Sequence, residues 1–133
     1  MTNKSENLEI VLPKNQLNLY GYEDYFTSFV NLHRKNKLPN TILLSGPKGL
    51  GKATFAYHFI NYILSYNESN KYSVDNMTIN PENNSYKSLS NNTNPNFSLL
   101  ESGMLGENIK IDKVRNILNF LNKSTYSSGI KII

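Results

Sequence analysis

The chain has 133 residues, 38% of them hydrophobic and 18% charged, which corresponds to one ordinary globular domain. It contains no cysteine, and this excludes a disulfide framework and a thiolate zinc site. The net charge of +4 at pH 7 is too small to indicate the dense basic face of a nucleic-acid-binding domain. No apolar run approaches the length of a membrane span and no signal peptide is recognisable, so the sequence predicts a cytoplasmic protein without a membrane partner.

Three segments are predicted to be helical. Residues 22–37 carry apolar side chains at the spacing of an amphipathic helix, which Pro39 ends. Residues 51–65 show the same period, and a third helix is expected to begin after Asp112 as its N-cap. The apolar side chains that define the last two helices are Phe55, Phe59, Ile63, Val114, Ile117, Leu118 and Leu121.

Short apolar runs at residues 41–45, 97–101 and 130–133 predict three β-strands. Helices separate these runs, and strands that alternate with helices form parallel sheets. The sequence therefore predicts an α/β fold in which a parallel sheet is flanked by helices. Because the last run stops at the end of the chain, we expect residues 1–133 to be a partial domain, incomplete at its C-terminus.

Residues 66–96 interrupt this pattern. They are rich in Asn and Ser and show neither a helical nor a strand period, so they are predicted to be a mobile insertion. Residues 1–18 are predicted to be an N-terminal arm.

The chemistry-bearing motif is the sequence GPKGLGK at residues 46–52, which fits the phosphate-binding pattern G-x-x-x-x-G-K. Glycines allow a tight turn whose backbone N–H groups converge on phosphate oxygens, and the lysine reaches the outer phosphates. The loop follows a predicted buried strand and opens a helix, as this motif requires. The candidate nucleotide phosphate-binding residues are Gly46, Pro47, Lys48, Gly49, Leu50, Gly51, Lys52, Ala53 and Thr54.

One position departs from the pattern. Ala53 stands where Ser or Thr normally supplies the hydroxyl that binds Mg²⁺. Thr54 lies one residue later, about 100° around the helix, and does not replace it. We therefore expect ATP or ADP to bind with little contribution from Mg²⁺, and we expect no hydrolysis. The two histidines, His33 and His58, are interpreted as packing residues, and no catalytic constellation is found.

With these motifs in place, the chain resembles the N-terminal part of the AAA+ domain of the bacterial DNA polymerase III clamp-loader family, the delta-prime subunits in particular. Four segments carry the resemblance: YGYE at 20–23, KLPNTILLSGP running into GLGKATFA at 37–56, NPNFSLL at 94–100 and IDKVRNI at 111–117. Many members of that family hold a four-cysteine zinc module where this chain has residues 66–96, so no zinc is expected here.

The resemblance implies a P-loop NTPase-like fold and a subunit of the polymerase holoenzyme that helps to load the sliding clamp on primed DNA. The implied partners are the other clamp-loader subunits, the sliding clamp and, through the complex, primed DNA. Two alternatives stay open at this point. One is a gamma/tau-type or other AAA+ subunit that hydrolyses ATP, against which Ala53 counts. The other is a non-catalytic remnant that only binds partners.

Overall fold

The computed structural model describes residues 10–103, 106–125 and 129–133. Within these ranges the regular elements are a 3₁₀ turn and four α-helices. They are the 3₁₀ turn Pro13–Asn15, α1 Glu23–Arg34, α2 Lys52–Leu64, α3 Asn84–Ser90 and α4 Ile111–Asn122. Helices α1, α2 and α4 are thus confirmed, whereas α3 and the 3₁₀ turn were not predicted. Residues 1–9 of the predicted arm lie outside the described ranges.

The ends of α1 follow from local chemistry. Glu23 and Asp24 lie in its first turn and His33 and Arg34 in its last, an arrangement that complements the helix dipole. The helix ends before Asn36, which adopts a left-handed conformation with φ of 53° and donates its N–H to the carbonyl of His33 at 3.0 Å. The helix therefore stops earlier than the sequence predicted from Pro39.

An aromatic cluster between α1 and α2 forms the centre of the core. Phe26 is completely buried, and its ring contacts the rings of Phe55, Phe59 and Tyr62 from α2 edge-on, with centroids 5.8–6.2 Å apart. Edge-on pairs of this kind stabilise a core beyond the area that they bury. The apolar stripes predicted for α1 and α2 therefore pack against each other.

Residues 66–96, which the sequence predicts to be a mobile insertion, contribute side chains to the core. Tyr72, Met77 and Ile79 belong to the core cluster, and the ring of Tyr72 stacks on Phe26 at a centroid distance of 5.0 Å. The segment also pairs with the chain before α1, since the N–H of Leu19 donates to the carbonyl of Met77 at 3.0 Å. Its few apolar side chains are concentrated at the points of contact, which the average composition of the segment concealed.

A buried pair of amides joins α2 to the residue before α3. Asn61 and Asn83 donate to each other through their side-chain amides at 3.1 and 3.2 Å, and both residues are almost completely buried. The Asn83 oxygen also accepts from the N–H of Tyr86 and so caps α3. These bonds satisfy polar groups whose burial would otherwise be costly.

The predicted α/β fold is wrong for the described residues, because they contain helices and isolated β-bridges but no β-strand and no sheet. Of the predicted strands, 97–101 and 130–133 meet only in a single parallel bridge between Phe97 and Ile132. Residues 41–45 make no backbone hydrogen bond to another described segment, and Leu43 is 88% exposed. A buried parallel strand needs hydrogen-bonded neighbours and cover on both faces, and the described chain provides neither for residues 41–45.

Helix α4 lies at the edge of this arrangement. It has no buried residue, so the apolar stripe predicted from Val114 to Leu121 is correct in period but remains largely uncovered by the described residues. Asp112 lies in its first turn, whereas the sequence predicted it as the N-cap, which is Lys110. The Lys131 ammonium donates to the carbonyls of Phe120, Leu121 and Lys123, where a cation complements the C-terminal end of the helix dipole.

Amide exchange tests the packing of residues 66–96. The N–H groups of Ser73, Thr78 and Ile79 are hydrogen-bonded at 2.9–3.1 Å beside the core, so we expect them to exchange at least about tenfold more slowly than the unpaired amides of residues 48–51. Hydrogen–deuterium exchange with mass spectrometry measures this difference. Equally fast exchange in both segments would mean that residues 66–96 do not pack in solution.

Candidate phosphate-binding loop

The loop formed by residues 46–51 connects the extended segment 41–45 to α2. Gly49 and Gly51 have φ angles of 88° and 79°, in the left-handed region that other residues rarely adopt. Gly51 is the N-cap of α2, so the turn at this residue directs the loop into the helix. Gly51, which the motif requires, therefore stands where the backbone conformation favours glycine, and Gly49 does the same at a position that the motif leaves variable.

The loop presents a row of free hydrogen-bond donors. The backbone N–H groups of residues 48–54 find no acceptor among the described residues, and residues 46–50 are exposed. The first N–H groups of any helix lack intrahelical partners, and here the loop adds further donors to those of α2. Such a row, together with the positive end of the helix dipole, favours an anion.

Lys52 supplies the positive charge. Its ammonium donates to the carbonyls of Gly46 at 2.8 Å and Pro47 at 2.6 Å. The sequence predicted that this side chain reaches the outer phosphates of a nucleotide, and in the structure its ammonium lies against the start of the loop. An ammonium has three N–H donors, so one remains for a further acceptor when two contact these carbonyls.

Tyr22 lies in the segment 22–37 that was predicted to be an amphipathic helix and in the YGYE segment of the family resemblance, and it contacts the loop. Its hydroxyl donates to the carbonyl of Leu50, and its ring lies 5.5 Å from the ring of Phe55. The hydroxyl contact could not be predicted from the sequence, because residues 28 positions apart are brought together only by the packing of α1 on α2.

The position that normally binds Mg²⁺ carries no ligand atom, since Ala53 is exposed and has only a methyl side chain. Thr54 is half-buried on the next position of α2. Within the described residues, no group of three or more histidine or acidic side chains could hold a metal ion.

The two histidines pack, as predicted. His58 is completely buried, and its Nε2 lies 2.9 Å from the carbonyl of Gln16, so Nε2 carries the hydrogen. Its Nδ1 accepts from the Tyr72 hydroxyl at 2.8 Å. Burial lowers the pKa of His58 to about 4, despite the opposing effect of the Gln16 bond. Burial and the charge of Arg34 also lower the pKa of the half-buried His33.

A match to one protein family shows to which proteins this chain is related. The family described as DNA polymerase III, delta subunit, matches residues 21–133. The chain belongs to this family. No curated protein and no solved structure matches it.

Family membership gives the chain a clamp-loader-related role in DNA replication, in a complex with other replication subunits. The matched region includes the whole loop and all four helices. None of the helices in the described residues is both long and apolar enough to span a membrane.

Proposed function

We propose that this chain acts as a delta-prime-type subunit of the DNA polymerase III clamp loader and that its loop binds the phosphates of ATP or ADP without hydrolysing them. In this role it contacts other clamp-loader subunits and the sliding clamp, and it meets primed DNA through the complex. The family match supports the replication role. The nucleotide part of the proposal rests on the loop.

The observation that carries the nucleotide proposal is the combination of unpaired backbone donors at residues 48–54 with the Lys52 ammonium beside them. Phosphate oxygens accept several N–H bonds at once, and an ammonium next to those donors adds a charge-assisted bond. The described residues place no carboxylate in hydrogen-bonding contact with Lys52. The loop therefore suits an anion better than any neutral ligand.

Ala53 is the reason that the proposal includes nucleotide binding but not nucleotide hydrolysis. Phosphoryl transfer in P-loop proteins depends on a metal ion held partly by the Ser or Thr hydroxyl, and a methyl group cannot supply that ligand. The proposed role of the nucleotide is to stabilise the loop and the start of α2 rather than to drive a cycle of hydrolysis. This argument counts against the gamma/tau-type alternative.

Replacing Lys52 with alanine is expected to weaken ADP binding by at least about tenfold, because charge-assisted hydrogen bonds contribute about 1.5–3 kcal/mol. The measurement is isothermal titration calorimetry with ADP in EDTA. Lys48→Ala is the matched control, since it removes the same charge from the same loop but Lys48 makes no side-chain bond among the described residues. Equal losses in both variants would indicate a general charge effect instead of a specific Lys52 contact.

Ala53→Thr completes this experiment by restoring the missing hydroxyl. In this variant Mg²⁺ should strengthen ATP binding more than it does in the unmodified protein. Mg²⁺-dependent ATP hydrolysis by the unmodified protein would contradict the interpretation of Ala53. Failure of the unmodified protein to bind ADP at millimolar concentration would contradict the nucleotide proposal itself.

A further inference from the structure

Tyr22, the residue before α1, makes two contacts with the loop and one with α2. The hydroxyl donates to the Leu50 carbonyl, and the ring packs against Phe55 of α2. The ring also borders Gly51, where a Cβ atom would lie 3.7 Å from the Tyr22 Cε2 atom. Tyr22 thus touches the loop at the turn that leads into α2.

The hydroxyl contact determines how one peptide group of the loop is oriented. The carbonyl of Leu50 and the N–H of Gly51 belong to the same planar trans peptide, so they point in opposite directions. When the Leu50 carbonyl is held toward the Tyr22 hydroxyl, the Gly51 N–H must point away from it. That N–H has no acceptor among the described residues.

The Leu50–Gly51 peptide needs the Tyr22 bond to hold its orientation because residue 51 is glycine. Gly51 has no Cβ atom, and its backbone reaches both left-handed and right-handed conformations at little cost. Without a bond to the Leu50 carbonyl, the peptide between residues 50 and 51 is free to rotate. Each rotation turns a donor of the row away from the position of an anion.

We infer that Tyr22 is a positioning residue of the phosphate-binding loop, which holds the peptide between Leu50 and Gly51 so that the Gly51 N–H faces the phosphate. This inference rests on the proposed nucleotide binding. It adds a residue outside the G-x-x-x-x-G-K motif and assigns it a role in phosphate affinity. Tyr22 acts through the backbone and does not itself contact the ligand.

The test is Tyr22→Phe, which removes the hydroxyl and keeps the ring packed on Phe55. Because one neutral hydrogen bond is lost, ADP affinity in EDTA should fall about three- to tenfold. Inorganic pyrophosphate should lose the same factor, since the effect acts on phosphate alone. The thermal midpoint of the ligand-free protein should change by less than about 4 °C, because a solvent-accessible carbonyl can bond to water instead.

Tyr25→Phe is the matched control. Tyr25 lies in the first turn of α1, is 68% exposed, and makes no hydroxyl bond among the described residues, so both affinities should stay unchanged. If Tyr22→Phe binds ADP as tightly as the unmodified protein, the inference is wrong and the proposed function stands. A loss for ADP without a loss for pyrophosphate would overturn it too, because Tyr22 would then contact the nucleoside. Absence of ADP binding by the unmodified protein would overturn both.

Discussion

Replacing Phe26 with alanine is expected to lower the free energy of unfolding by about 3–5 kcal/mol, the usual cost of removing a buried aromatic ring. Phe26 is 0% exposed, and it is the residue at which α1, α2 and the segment 66–96 meet. A whole domain is stable by only about 5–15 kcal/mol, so this one change should remove a large fraction of the total. Urea unfolding followed by circular dichroism measures the loss.

Tyr25→Ala serves as the control for this prediction. It removes an aromatic side chain from the adjacent position of α1, but Tyr25 is 68% exposed, and the free energy of unfolding should change by less than about 1 kcal/mol. If the two variants lost similar stability, the packing of α1 on α2 described above would be incorrect.

The second large effect is a loss of stability in mild acid. His58 has a pKa of about 4 in the folded protein, against about 6.5 for an unperturbed histidine. The unfolded chain therefore binds a proton more readily, and the stability that neutral His58 contributes is complete above pH 6.5 and is lost as the pH falls toward 4. Between pH 7 and pH 5 this residue alone should lower the free energy of unfolding by about 2 kcal/mol.

The structural cause is that both ring nitrogens of His58 are already engaged. Protonation would place a hydrogen on Nδ1, which accepts from the Tyr72 hydroxyl, and would charge a buried ring. Urea unfolding at pH 7, 6 and 5 measures the dependence, and His58→Gln should flatten it. His33→Gln is the comparison, because His33 is only partly buried and its removal should change the slope less. An unchanged slope in His58→Gln would contradict the prediction.

The helices that the sequence predicted are those whose apolar side chains repeat over at least two turns, because period alone identifies them. Helix α3 has only seven residues, too few for a period, and its single local signal is the capping residue Asn83. The strands were mispredicted for a different reason. A short apolar run has no period that separates a strand from an uncovered extended segment, and the outcome depends on partners that lie elsewhere in the chain.

The candidate site was predictable as far as its motif extends. Gly51 and Lys52 lie where the pattern requires them, and the loop opens α2 as expected. Tyr22 could not be found in this way, because its contribution is a hydroxyl bond to Leu50, a loop residue 28 positions further along the chain. The contacts of Lys52 with Gly46 and Pro47 could not be predicted from the sequence either, since the motif specifies the lysine but not the acceptors of its ammonium.

The amide pair of Asn61 and Asn83 limits the order in which these two positions can be substituted during evolution. Each side chain is the partner of the other, so a change at either position leaves a buried amide with unsatisfied donors and acceptors, at a cost of about 1–3 kcal/mol. Apolar residues of similar size at both positions remove that penalty together, although the cap of α3 and the bond from the Ser65 hydroxyl to the Asn61 side-chain oxygen are then lost. The two positions are therefore epistatic. Each single mutant is expected to be less stable than both the protein with two asparagines and the protein with two apolar residues.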